Sequence, residues 1–244
     1  MRIFKFIFPI FIMFIFIFNN SCTQRYDYAY FMKLTCDDKV RYIQHYVDRQ
    51  AQKSWYAEGK VSQDINNFPI KFFNSNFKAY IKPDIVEITI IPGEVKALKA
   101  KIIDTKDKLK VCAYMLGFYK CSEFNGDKGL FTPIMDTDYW SYNTLTALFP
   151  FKMEDVEKYS CDRDKVVIKL KDIDFIYRFI NLQTVKVSKD IQMNNMGFRY
   201  DYLLKYEYNR DKLKKAYIEV KTDSFGEKVK IEYSKFEELK EKSE

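Results

Sequence analysis

From Trp55 to Tyr233 apolar and polar residues alternate with a period of two, and this leaves few folds open. Trp55, Ala57, Gly59 and Val61 form one apolar row. Phe73, Phe77, Ala79 and Ile81 alternate with Asn74, Asn76, Lys78 and Lys82. Val86, Ile88 and Ile90, then Leu98, Ala100 and Ile102, then Leu109, Val111 and Ala113 repeat the pattern. It resumes in Val166–Leu170, Ile173–Phe179, a shorter piece at Val185 and Val187, the long aromatic row from Phe198 to Tyr208, Ala216–Val220 and Val229–Tyr233. Successive strand residues point to opposite faces, so each segment carries one apolar and one Lys/Glu-rich face. That describes an antiparallel sheet wetted on one side. Lys82-Pro83-Asp84, Pro92-Gly93-Glu94 and Thr105-Lys106-Asp107 are turn-forming connections. Short connections predict a meander of hairpins with about 11 strands, too many to stay flat, and twist curls such a sheet toward a barrel.

Helical periodicity appears in three places. Thr35 can cap a helix with Asp37 and Asp38 in its first turn, and Val40, Ile43, Val47 and Ala51 recur at helical spacing until about Lys53. The strand pattern breaks over residues 123–138, which contain Asn125-Gly126, Gly129 and Pro133. A helix with Trp140, Thr144, Leu145 and Leu148 on one face follows and stops at Pro150, and a short helix is expected over Met153–Tyr159. Residues 235–244 read as a charged, frayed tail.

The N-terminus reads as an export signal. Arg2 and Lys5 precede an unbroken apolar run from Phe6 to Phe18, then Asn19, Asn20, Ser21 and Cys22. A spanning helix needs roughly 20 apolar residues, so a transmembrane anchor is the weaker alternative. A cysteine directly after the cut is the site at which bacterial lipoproteins are lipidated. Residues 19–20 depart from the Leu-(Ala/Ser) preference of that signal, which keeps an ordinary secreted chain as an alternative. The expected organisation is a signal peptide at 1–21, a lipidated tether at 22–34, a domain at 35–234 and the tail at 235–244. Cleavage would take the formal net charge from +7 to +5 by removing Arg2 and Lys5. The remaining excess is spread along the strands rather than gathered in a block that grips phosphates, so nucleic acid is not an expected partner.

Export permits disulfides among Cys36, Cys112, Cys121 and Cys161. Cys112 and Cys121 flank a hairpin whose turn contains Leu116 and Gly117. A two-residue loop would set them directly opposite, and a three-residue loop would move them onto a diagonal. Cys36 and Cys161 are left as the other pair. With one histidine, His45, and no CxxC spacing, no metal site is expected. No GxSxG, HExxH or phosphate-binding glycine loop is present, and Asp37-Asp38 and Glu154-Asp155 sit at helix starts, where capping explains them. No catalytic residue, cofactor or enzymatic activity is expected. The distinctive feature is aromatic content, 22 Phe and 19 Tyr, many on inward strand faces. It describes either a filled core or a greasy cavity.

Within this frame the order of segments is familiar. A helix leads into Ser54-Trp55-Tyr56-Ala57-Glu58-Gly59-Lys60-Val61. Alternating strands then close at Glu87-Ile88-Thr89-Ile90-Ile91-Pro92-Gly93-Glu94. Tyr139-Trp140 and Leu145-Thr146-Ala147-Leu148-Phe149-Pro150 form a helix ending in proline. Over about residues 40–150 this resembles the lipoprotein-sorting proteins of the Gram-negative outer membrane, the LolA and LolB group, and Cys22 agrees with the lipid-anchored LolB branch. The resemblance implies a mainly β (α+β) fold, a curled antiparallel sheet forming an incomplete β-barrel with a helical lid over a hydrophobic cavity. It implies binding of lipoprotein acyl chains without covalent chemistry. At ~0.8 kcal/mol per methylene, one long chain gains on the order of 10 kcal/mol.

On this reading Trp55, Phe73, Phe77, Val86, Ile88, Trp140, Leu145, Tyr200, Tyr202 and Leu204 line the acyl cavity. The family's membrane-transfer loop maps to Ile91, Pro92 and Gly93, with Ile91 standing where a leucine is usual. Thr23 after Cys22, in place of Asp, implies an outer-membrane address facing the periplasm. The expected partners are the membrane through a lipid anchor, lipoprotein acyl chains or another lipid, and a soluble LolA-like periplasmic carrier, with the protein acting as a monomer. The alternatives are a structural or interaction envelope lipoprotein of the same fold with a filled core, and a carrier of another hydrophobic molecule.

Overall fold

The computed structural model describes residues 26–65, 72–92, 98–105, 108–115, 117–125, 140–193, 196–221 and 226–239. By chain contacts it divides into Met1–Lys33 and Leu34–Glu244. In the first unit the described part contains a helix, α1 (Tyr28–Lys33), where the sequence suggested a tether without period. The Asp27 carboxylate opens it by accepting from the Ala29 and Tyr30 amides at 2.8 and 3.3 Å.

The second unit begins with α2 (Cys36–Gln50). The Thr35 hydroxyl oxygen accepts from the Asp38 amide at 3.2 Å, and Asp37 pairs with Arg41 one turn on at 3.0 Å. Its buried stripe is Val40, Ile43 and Val47, as the periodicity predicts. Thirteen strands follow in one antiparallel sheet: β1 (Trp55–Ile65), β2 (Phe72–Ile81), β3 (Ile85–Pro92), β4 (Leu98–Thr105), β5 (Lys108–Met115), β6 (Phe118–Asn125), β7 (Lys158–Asp162), β8 (Lys165–Lys169), β9 (Ile173–Arg178), β10 (Asn181–Met193), β11 (Met196–Asn209), β12 (Lys212–Lys221) and β13 (Gly226–Glu238). A short helix, α3 (Trp140–Thr146), and a 3-10 turn (Met153–Asp155) stand between β6 and β7.

The sheet is curled and not closed, with order β6-β5-β4-β3-β2-β1-β13-β12-β11-β10-β9-β8-β7. This corrects the simple meander, which would place the first and last strands at the edges. Here β1 pairs with β13 at the centre, and β6 and β7 are the two edges. At ~4.8 Å per strand those edges lie about 58 Å apart along the sheet. Between them in the chain stands α3, which Tyr206 on β11 and Tyr233 on β13 hold by its backbone.

The strand count also rises from about 11. The expected helix over Met153–Tyr159 is only the 3-10 turn, and β7 follows it. The strands outside the counted rows, β6 and β7, are both edges, and the hairpin expected around Leu116-Gly117 already implied β6. Lys158, Tyr159, Ser160 and Asp162 are all exposed, so no apolar row betrays β7. The Val185–Val187 segment extends to thirteen residues in β10. Residues 235–238 of the expected frayed tail are strand, paired with Trp55–Glu58.

Two details tie the centre of the sheet. At the bulge between Glu58 and Gly59, the β13 backbone comes so close that a Cβ on Gly59 would stand 1.9 Å from the Glu232 carbonyl oxygen. The Leu239 amide then donates to the Ser54 carbonyl at 2.8 Å.

Candidate functional site

The apolar rows of the strands, β7 excepted, share the inner face of the curl, and two helices occupy one end of it. α2 starts on edge strand β7 and finishes at central β1. It is held by the Cys36–Cys161 disulfide, by Lys39 Nζ donating to the Arg163 carbonyl at 2.7 Å, and by Gln44 Nε2 donating to the Phe151 carbonyl at 3.1 Å. α3 packs against β3. Residues 142–149 are buried throughout, and Ala147 ends the helix in the left-handed region at φ 58°.

Three tyrosines hold α3 in place. Tyr206 on β11 donates to the Thr144 carbonyl at 3.1 Å, and Tyr233 on β13 donates to the Leu145 carbonyl at 3.0 Å. Both acceptors are last-turn carbonyls that an α-helix leaves without intrahelical partners. Tyr142 donates to the Lys53 carbonyl at 2.9 Å, with the Gln50 carbonyl 3.3 Å away, joining α3 to the end of α2. Burial pushes the Tyr142 phenol up to about 12. Burial also raises Tyr206 and Tyr233 well above the ordinary phenol value.

Beneath the helices the described aromatic side chains of the inner face pack against one another. Phe77 meets Tyr233 edge-on at 5.9 Å, and Phe175 contacts Phe149, Phe151 and Tyr177 at 5.9–6.3 Å. Of the side chains expected to line a cavity, Phe77, Val86, Leu145, Tyr202 and Leu204 are buried in this packed region. Trp55 is half-buried and stacks on Phe236 at 5.1 Å. Ile88 is half-buried, at the margin of the covered part. Phe73, Trp140 and Tyr200 belong to β2, α3 and β11, and their side chains lie outside those described.

Toward the opposite end, where β3 leads to β4 and β5 turns into β6, the same rows are less covered by the described residues. Val61, Ile90, Ala100, Ile102, Ile218, Val220 and Val229 are only half-buried, Val111 is 36% exposed, and Phe118 is 79% exposed. These residues form an apolar mouth. The alternation places them on the inner face but carries no mark of which end the helices leave open. Ile91 is on the outer face, 38% exposed, and pairs with Asn76, while Pro92 pairs with Ser75. Ile91 and Pro92 are thus strand residues at the rim rather than loop residues. Gly93 and Cys22 lie outside the described residues.

The outer face is a lattice of lysines and carboxylates. Glu87 pairs with Lys101 at 2.8 Å, and Glu232 with Lys230 at 2.8 Å. Glu123 bonds Lys108 and Lys110, which bring its carboxyl down to about 2. Glu219 meets Lys221 at 3.0 Å and Lys228 at 3.7 Å. A groove of about 680 Å³ crosses this face over β10–β13, lined by Gln183, Lys205, Tyr217, Glu219, Lys228 and Lys230 among others. None of the side chains expected to bind an acyl chain lines it.

Cys112 and Cys121 are directly opposite across the β5–β6 hairpin and disulfide-bonded, which selects the two-residue Leu116-Gly117 loop, with Gly117 at φ 89°. His45 is exposed on α2. Among the described residues no three His, Cys, Asp or Glu side chains gather to hold a metal ion, and no helix is long and apolar enough to cross a membrane.

No protein-family model matches the chain, and neither does any curated protein. Two solved structures are similar to it in outline. One is a LolA superfamily protein from Nitrosomonas europaea, 10% identical, covering 83% of this chain and 94% of that one, with a TM-score of 0.47. The other is described as an outer membrane lipoprotein-sorting protein domain, from Vibrio parahaemolyticus, 10% identical, covering 86% and 96%, with a TM-score of 0.43.

Proposed function

We propose that the chain is a lipid-anchored envelope protein that takes acyl chains on the inner face of its curled sheet, in the manner of a LolB-like acceptor of lipoproteins. The observation that carries this reading is the apolar mouth formed by Val61, Ile90, Ile102, Val111, Val220 and Val229. It continues the core row without a step yet lies beyond the reach of α2 and α3. A hydrocarbon chain laid there buries itself against apolar side chains, which is favourable in proportion to the area removed from water. Such a role needs no covalent chemistry. Cys22 would hold the domain beside the membrane that receives the cargo, and a soluble carrier of related fold would deliver it.

The test is photolabelling of the full chain with a diazirine-bearing fatty acyl probe, followed by peptide mapping. Labels on the inner residues of β3, β4, β12 and β13 support the reading. Labels confined to residues 1–21, or none, sink it.

One observation favours the second reading, an interaction lipoprotein with a filled core. Tyr206 and Tyr233 pin α3 against the inner face by its own backbone, so the centre of the curl is occupied by the protein itself. Under that reading the mouth receives a protein segment in place of lipid, and the acyl probe finds no site.

A further inference from the structure

We propose that the tip of the β5–β6 hairpin is a membrane-contact element, built to sit in the headgroup layer of a bilayer carrying anionic phospholipid. The proposal does not depend on acyl binding at the inner face. Tyr114, Phe118 and Tyr119 are 46%, 79% and 62% exposed, and they gather around a two-residue turn. Isolated exposed aromatics are ordinary, but three within six residues of one hairpin tip form a patch.

Their placement selects the partner. Tyr114 and Tyr119 are an opposed pair on the outer face, with ring centroids 6.5 Å apart, whereas Phe118 lies on the inner face opposite Met115. A flat protein surface would bury one side of this ribbon and leave the other wet. A lipid interface surrounds the tip and receives both. Tyrosine, with an apolar ring and a polar end, is suited to the headgroup boundary, and Phe118 to the acyl edge beneath it.

Charge follows the same division. Lys99, beside Tyr114 on the outer face, and Lys120, opposite Ala113 on the inner face, are both exposed, and neither has an ion pair among the described residues. Elsewhere on the sheet lysines are commonly paired with carboxylates, as Lys101 is with Glu87. A small cleft of about 210 Å³ lies between Lys99, Lys101, Cys112, Tyr114 and Tyr119. Its walls are almost wholly apolar, made of lysine stems and tyrosine rings, and extend the apolar surface of the tip onto the outer face, with Lys99 at its edge.

The Cys112–Cys121 disulfide lies on the same face, one alternation below the tyrosine pair, and ties the two arms of the ribbon directly under the tip. The tip also belongs to the end of the sheet where the apolar mouth opens.

Phe118→Trp in the full chain tests the proposal, since the exposed position accepts an indole without repacking. The protein is mixed with vesicles of phosphatidylcholine alone, or of an equimolar mixture with phosphatidylglycerol, each with brominated acyl chains, and emission is compared with the unsubstituted chain. The expected result is quenching and a blue shift of the added indole on the anionic vesicles, lost when Lys99→Glu and Lys120→Glu are combined with it. An added indole that stays unquenched on anionic vesicles overturns the proposal. So does quenching that survives both charge reversals.

Discussion

The Tyr233 hydroxyl donates to the Leu145 carbonyl at 3.0 Å, across 88 residues of chain, and joins the central strand of the sheet to the last turn of the helix above it. Tyr206 repeats the relationship one residue earlier, at the Thr144 carbonyl. These two phenols set where α3 rests.

Replacing either tyrosine with phenylalanine keeps the ring and strands a buried carbonyl. Tyr206→Phe and Tyr233→Phe are each expected to lower stability by about 1–3 kcal/mol, measured by chemical denaturation. Hydrogen exchange at residues 142–149 should quicken more than exchange in β8 and β9. Equal quickening everywhere would mean that the two bonds do not hold α3 in particular.

Gly59 is required by space. A methyl group there meets the Glu232 carbonyl oxygen at 1.9 Å, in the pairing that joins the two halves of the sheet. Gly59→Ala should cost about 1–3 kcal/mol or more, because backbone rather than a side chain must move. A thermal midpoint unchanged from the parent would contradict the bulge.

Alkali should unfold the protein through its buried phenols. Ordinary tyrosines ionise near pH 10. Burial holds Tyr142 up to about 12 and raises Tyr177, Tyr206 and Tyr233 further. A folded-state value above the unfolded one means the unfolded chain binds fewer protons above about pH 10. Stability is therefore fully present below that pH and falls as pH rises through the folded-state values. Near-ultraviolet circular dichroism should stay intact through about pH 10, where an ordinary phenol ionises. The buried set should ionise only as that signal collapses.

The two disulfides should differ in worth. Cys36–Cys161 closes a separation of 125 residues and Cys112–Cys121 one of 9. Loop entropy assigns them about 5 and about 2.6 kcal/mol. Cys36→Ser with Cys161→Ser should lower the denaturation midpoint more than Cys112→Ser with Cys121→Ser. The reverse order would show that α2 docks on β7 without help from the bond.

Most strands, and which of their faces is apolar, were legible because a half-buried strand writes its burial into alternate residues. Val86, Ile88 and Ile90 needed no structure to be placed on one face. The α2 stripe and its Thr35 cap were legible for the same reason at helical period. β7 was not, because an exposed edge strand has no buried side to record. The candidate site was legible only as a face. Phe77, Tyr202 and Leu204 were expected beside a cavity and are packed under helices, whereas Ile90, Ile102 and Phe118 mark the mouth.

The sequence by itself determined a mainly β chain with one apolar surface, an α2 helix to cover part of it, and a hairpin able to carry the Cys112–Cys121 bond. These are local properties, set by the period of the residues and the chemistry of turns. Only the tertiary structure decided that β1 meets β13 at the centre, that β6 and β7 become opposite edges, and that α3 rests under Tyr206 and Tyr233. Pairing between strands more than 150 residues apart depends on which edges meet when the chain collapses. Both edges expose the same backbone donors and acceptors, so the alternation pattern is the same whichever neighbour is chosen.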